Sequence, residues 1–273
     1  MKKRSDYFHT TDGKSIYFEE IIFGQSDRHL VLLNGLTQTT VIWEPILNKL
    51  RWDGKVILCD FIFQGKSDKS GPSRDFDLQA RDIYELLSYL SAKNISIAGI
   101  SYGSLVAQHY AVNYPGSLEK LILISSFAHK TPIYRAIELS WKQALLIGDF
   151  GLMLDVMLPY VLSNNYFSSP LIPIDSLKKL RKEMQPQKDA LLKLMEATEN
   201  RKDYLDKLKK LHCQTMIVQG EKDLLFPPSY AEEIRKAVSG SVLKIIPGKG
   251  HTLNLEAVEE LTEAMESFLN IVK

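Results

Sequence analysis

Six short apolar runs, each bounded by polar or turn-forming positions, constrain most strongly what this chain can fold into. They are His29–Leu33, Lys55–Cys59, Ile95–Gly99, Leu118–Ser125, Thr215–Val218 and Val242–Ile246. None alternates apolar with polar residues, so each reads as a strand covered on both faces. Helical patterns separate them at Thr40–Leu50, Leu78–Leu90, Tyr102–Asn113, Ser229–Val238 and Leu253–Val272. Asp77 is the expected N-cap of the second, and Tyr114-Pro115-Gly116 stops the third. Strands alternating with helices predict an α/β fold, a mostly parallel sheet of about eight strands with helices on both faces. Two further strands, Ser5–Thr10 and Ser15–Phe23, flank Thr11-Asp12-Gly13-Lys14, a hairpin turn signal.

One interval breaks the alternation. From Phe127 to Leu208 only helical patterns occur, at Ile133–Leu146, Gly151–Leu162, Asp175–Met184 and Lys188–Thr198, with a short lead-in helix near Tyr204–Leu211. Gly148, Pro159, Pro170 and Pro173 mark the breaks. The expected organisation is a core of residues 1–126 and 209–273 with a helical cap, 127–208, inserted between two strands. The cap's first half is apolar. Its second half is charged, and Lys178–Lys182 reads as a solvated helix face.

Composition narrows the classes of function. The 273 residues are 45% hydrophobic and 25% charged, with a net charge of +1. That balance lacks the basic field a nucleic-acid binder needs. The most apolar stretch, Trp141–Leu162, is interrupted by Lys142, Asp149 and Asp155, so no membrane span is expected. Met1-Lys2-Lys3-Arg4 runs into polar Ser5-Asp6 rather than the apolar segment of a secretion signal. Cys59 and Cys213 read as buried free thiols of a cytoplasmic protein. The histidines and cysteines show no metal-ligand spacing and no nucleotide fingerprint occurs, so no cofactor is expected. A monomer or small homo-oligomer is the expected state.

The chemistry centres on Gly99-Ile100-Ser101-Tyr102-Gly103. This G-x-S-x-G follows an apolar strand and opens a helix, the setting in which a serine sits on a sharp, strained turn. Glycines two residues to either side avoid collisions on such a turn. The turn presents the Ser101 hydroxyl at the carboxyl edge of the sheet, beside a helix N-terminus that favours negative charge. A serine needs a base. Among six histidines, His251 alone stands in a loop after the last strand, Gly248-Lys249-Gly250-His251. His9, His29, His109, His129 and His212 read as packing or surface residues. The acid that orients the imidazole is expected to be Asp223, in Gly220-Glu221-Lys222-Asp223 after the preceding strand, with Glu221 a near competitor. For the oxyanion, the Tyr102 amide and the Leu36 amide, freed by the sharp turn at Gly35, are the expected donors.

The elbow Gly99–Gly103, the acid loop Gly220–Asp223, the Gly250-His251 loop and the segment Asp60–Asp68 together resemble the α/β-hydrolase superfamily with a helical cap, over nearly the whole chain. Where that superfamily usually has His-Gly before the oxyanion donor, this chain has Asn34-Gly35. Followed by Thr37, Thr39 and Thr40, that pair resembles the 3-hydroxyacyl transacylases and rhamnolipid-precursor acyltransferases.

The reading that follows is a carboxylesterase- or thioesterase-type serine hydrolase with a catalytic triad of Ser101, Asp223 and His251. Its substrate is a small acyl ester or thioester, bound by Asn34, Gly35 and Thr37, with help from Gln38 and Thr39. The acyl part is lined by Phe127, Trp141, Leu145, Met153, Met157, Tyr160 and Phe167. Three alternatives accompany it. One is transfer of a (3-hydroxy)acyl group to an alcohol or thiol, with acyl carrier protein or CoA as partner through Lys178–Lys182. Another is C–C bond hydrolysis, and the last is a non-catalytic ligand receptor.

Overall fold

The computed structural model describes residues 2–183 and 187–270. Eight strands form one sheet: β1 (Lys2–His9), β2 (Ser15–Ile22), β3 (His29–Leu33), β4 (Lys55–Cys59), β5 (Ile95–Ile100), β6 (Lys120–Ile124), β7 (Gln214–Gly220) and β8 (Val242–Ile246). Their spatial order is β1-β2-β4-β3-β5-β6-β7-β8. β1 and β2 pair antiparallel, as do β2 and β4, and every other neighbour is parallel. The order reverses between β3 and β5. In an open α/β sheet that reversal leaves a crevice beyond the carboxyl ends of the two strands, where ligands bind.

Alternate residues of each central strand enter different cores, which is why the sequence runs show no polar face. Val31 and Leu33 join Ile57, Ile97, Leu121, Leu123 and Ile217 on one side. Leu30 and Leu32 join Val56, Leu58, Ala98, Ile122 and Val218 on the other. The first side is covered by α2 (Phe76–Tyr89), α3 (Tyr102–Asn113) and α10 (Pro228–Ala237). The second is covered by α1 (Glu44–Leu47), α11 (Leu253–Glu256) and α12 (Val258–Phe268).

Between β6 and β7 the described residues form only helices. These are α4 (Pro132–Ile147), α5 (Phe150–Val161), α6 (Asn164–Ser168), α7 (Ile174–Glu183), α8 (Lys188–Asn200) and α9 (Leu205–Leu208). Their buried faces do not make a separate core. Phe127, Trp141, Met157 and Leu194 belong to the same apolar cluster as Tyr102 and Leu105 of α3. No helix among the described residues is long and apolar enough to cross a membrane. Cys59 and Cys213 are free thiols.

Three expectations need correction. α2 is capped by Asp75, whose carboxylate accepts from Leu78 N–H at 2.8 Å. Asp77 lies two residues further on, in the first turn, and holds His109 and Asn113 instead. The C-terminal helix is broken at Ala257 (φ −135°, ψ 43°) into α11 and α12, where the Lys249 ammonium takes the Glu256 carbonyl. α6, with Ser163 as its N-cap, was not expected. Met184, Ile271 and Val272, expected to be helical, lie outside the described residues.

Candidate active site

Ser101 joins β5 to α3 with φ 50° and ψ −115°, a backbone strained for any residue with a side chain. The flanking glycines have a steric reason. A Cβ on Gly99 would stand 2.3 Å from the Gly103 carbonyl oxygen, and one on Gly103 would stand 2.4 Å from that of Leu33. The Ser101 amide donates to Ile124 O at 2.9 Å, tying the turn to β6.

His251 follows β8 and Asp223 follows β7, so both stand at carboxyl strand ends beside the elbow. His251 Nε2 lies 2.9 Å from Ser101 Oγ, and its Nδ1 lies 2.8 Å from Asp223 Oδ2. Asp223 is 2% exposed and His251 4%. The Asp223 carboxylate also accepts from Leu225 N–H at 2.9 Å, Phe226 N–H at 2.8 Å and the Gln219 amide at 2.6 Å. Both of its oxygens are therefore fixed, and with them the imidazole edge that faces the serine. Glu221, the competitor, turns to the surface and accepts from Gly248 N–H. Of the remaining histidines, His9 meets Ser15, His29 meets Lys93 O, His109 meets Asp77 and His129 meets Glu233.

Two residues of the pocket wall have unpaired amides among the described residues. The loop after β3 folds tightly: Gly35 N–H donates to Gln38 Oε1 at 2.9 Å, while Gln64 Nε2 donates to Gly35 O at 2.9 Å and Leu36 O at 3.1 Å. The Leu36 and Tyr102 amides, both in the wall of the pocket at Ser101, have no acceptor among the described residues. Paired free N–H groups beside a serine–imidazole couple can receive a developing oxyanion.

Above Ser101 lies a cavity of ≈ 60 Å³. Gly35, Thr37, Phe127, Trp141 and Met157 line it, together with Gln38. Asn34 does not. Its side chain donates to Cys59 O and Asp60 Oδ1 and accepts from Trp43 Nε1, so it fastens β3 to β4. Met153 and Tyr160 are also outside. Leu158 and Val161, in the last turn of α5, reach the cavity. Met153 is a full turn further back and wholly buried, and Tyr160 falls beside the buried stripe. Leu145 packs in the core and Phe167 is exposed. Lys178 is ion-paired with Asp155, and the side chains of Arg181 and Lys182 lie outside the described residues.

Several participants were not anticipated. Gln219 and Gln64 have just been placed. Ser125 donates through its hydroxyl to His251 O at 2.7 Å. Leu177 of α7, Thr198 of α8 and Leu225 complete the pocket wall. Gln64 lay within the recognised Asp60–Asp68 segment, which was the one available signal. The others join residues too far apart in sequence to be paired by pattern.

A mostly parallel sheet with this strand order, a serine on a left-handed strand–helix turn and an imidazole–carboxylate pair on later strand ends define an α/β hydrolase. A family model described as the alpha/beta hydrolase fold matches residues 28–258, and the chain belongs to that family. It is 23% identical to the serine hydrolase BPHL of Homo sapiens, over 94% of this chain and 84% of that protein. Two solved structures share the fold. MGS-M2, an alpha/beta hydrolase from a Medee basin deep-sea metagenome library, has a TM-score of 0.86 at 23% identity, covering 98% of each chain. The esterase EaEST of Exiguobacterium antarcticum has a TM-score of 0.84 at 24% identity, covering 98% of this chain and all of that one.

Proposed function

We propose that this hydrolase cleaves small carboxylic esters of short acyl groups through an acyl-enzyme on Ser101. The observation that carries the reading is the alignment of Ser101, His251 and Asp223 at 2.9 and 2.8 Å below a mostly apolar cavity of ≈ 60 Å³. Ser101 Oγ attacks the acyl carbonyl while His251 Nε2 takes its proton. The carbonyl oxygen gathers charge against the Leu36 and Tyr102 amides. His251 then returns the proton to the departing alcohol, and a water activated by the same imidazole releases the acid. Asp223 holds the tautomer that leaves Nε2 free to accept.

Cavity size supports the acyl preference. The volume is well under the roughly 150 Å³ that accommodates benzene, so a chain of a few carbons fits. Residues 127–208 act as a cap that excludes bulk water from the acyl-enzyme. The features that suggested acyl transfer are engaged elsewhere, Asn34 in the sheet and Lys178 with Asp155.

The test is a series of nitrophenyl esters from acetate to decanoate, run on wild type and Ser101→Ala. Expected are an optimum at two to about four carbons and loss of turnover by about 10⁴-fold or more in the variant, with the melting temperature kept. A decanoate optimum overturns the acyl assignment. Full activity in Ser101→Ala overturns the mechanism.

A further inference from the structure

One wall of the acyl cavity carries polar groups that the ester reaction does not use. α4 places Tyr134, Glu138 and Trp141 at i, i+4 and i+7, on one helix face. Tyr134 and Trp141 line the cavity, as does Thr198 of α8. Glu138 stands behind them, accepting from the Tyr134 hydroxyl at 3.4 Å and lying 3.6 Å from the Lys130 ammonium. Lys130 also donates to the carbonyls of Thr198 and Glu199, so its charge is matched. Trp141 is different. It is 4% exposed, and its indole N–H has no acceptor among the described residues. A buried indole N–H ordinarily finds a partner, because leaving a donor unpaired is costly.

We infer that the Trp141 indole N–H is a specificity group, which takes a neutral oxygen acceptor on the acyl chain of the substrate. The preferred acyl groups are therefore short oxo- or hydroxy-acyl chains rather than plain alkanoyl ones. Neutrality follows from the wall, which among the described residues contains no lysine or arginine to receive a carboxylate. The other wall residues from the helices after β6, such as Met157, Leu158 and Leu177, offer apolar contact alone. Among the wall residues contributed by 127–208, only the α4 face and Thr198 carry polar groups that can recognise an oxygen distant from the scissile carbonyl. The inference rests on the reading of Ser101 as acyl acceptor.

The experiment compares hydrolysis of methyl butanoate, methyl acetoacetate and methyl levulinate by wild type and Trp141→Phe, followed by pH-stat. Phenylalanine keeps the ring and removes the donor. In the variant, kcat/KM for the better oxo ester is expected to fall about tenfold more than that for methyl butanoate, the scale of one hydrogen bond. The ratio of variant to wild type cancels differences in intrinsic ester reactivity. Equal losses on all three esters overturn the inference by assigning Trp141 to packing. No loss on any ester overturns it by showing that the substrate makes no use of the N–H, as when a trapped water satisfies it. If the folded wild-type protein hydrolyses none of the three, the reading of Ser101 fails first and takes this one with it.

Discussion

The carboxylate of Glu256 accepts from both the amide (3.1 Å) and the hydroxyl of Ser163, joining the loop after α5 to the segment that carries His251. The same carboxylate accepts from Gly250 N–H at 3.2 Å, one residue before the imidazole. Alongside it, the Thr252 amide and hydroxyl both donate to Val161 O at 3.0 Å. The pocket wall and the backbone of the proposed general base are thus fastened to one another. Burial pushes the Glu256 carboxyl above the usual range, while its three donors favour the charged form. Glu256→Gln would set an amide NH₂ against donors. The expected result is a kcat about tenfold lower across the whole ester series and a melting temperature lower by a few degrees. Steady-state kinetics and thermal unfolding check both.

Gly103 approaches β3 so closely that a Cβ would stand 2.4 Å from Leu33 O and 2.6 Å from Asn34 O, both rigid backbone atoms. Gly103→Ala is expected to destabilise by about 3 kcal/mol or more, or to prevent folding. Gly116 meets nothing within 4 Å at the same position. Gly116→Ala is expected to stay within about 0.5 kcal/mol of wild type. Urea unfolding of the two variants side by side separates crowding at the elbow from a general effect of the methyl group.

The Gln64 side chain pins two carbonyls of the loop that presents the Leu36 amide. Loosening a donor costs less than deleting it, and deletion typically costs 10²–10³ in kcat. Gln64→Ala is therefore expected to lower kcat by roughly 10–100-fold with KM nearly unchanged. A rise in KM at constant kcat would instead place Gln64 in ground-state binding.

Asp82 on α2 is buried beside Arg74, whose Nη1 stands 3.4 Å away without forming a hydrogen bond. Desolvation pushes its carboxyl up to about 7, against the opposing charge of Arg74. The folded chain thus keeps a proton that the unfolded chain releases as pH rises from about 4 to 7, and stability falls through that window. Asp82→Asn lacks this loss, and Arg74 retains its bond to Asp12. The variant's melting temperature relative to wild type is expected to be higher at pH 8 than at pH 4.5, by several degrees. A difference independent of pH would show that Asp82 is not the titrating group.

What could be read from the sequence follows from how local each determinant is. β3, β4, β8 and α3 have the boundaries expected of them, because apolar runs and turn residues act over a few positions. Ser101, Asp223 and His251 were legible for a related reason: each occupies the loop after a recognisable strand. Asn34 misled because its partners, Trp43, Cys59 and Asp60, are joined to it only by folding. On its own, a polar residue before a glycine looks the same whether it faces substrate or sheet. The stripe on α5 posed a similar ambiguity. Met153 and Met157 share periodicity and chemistry, and only the placement of α5 over Ser101 decides which one reaches the cavity.

The single apolar cluster that includes both the sheet and the helices above Ser101 has a consequence for traffic through the site. A lid with its own core could swing on a hinge and leave the sheet intact. Here Phe127 and Trp141 share one cluster with Tyr102 and Leu105. Parting the helices therefore loosens the packing that secures α3 beneath them. Substrate admission and thermal resilience draw on the same contacts, so a substitution that tightens this seam should slow passage as it raises the melting point.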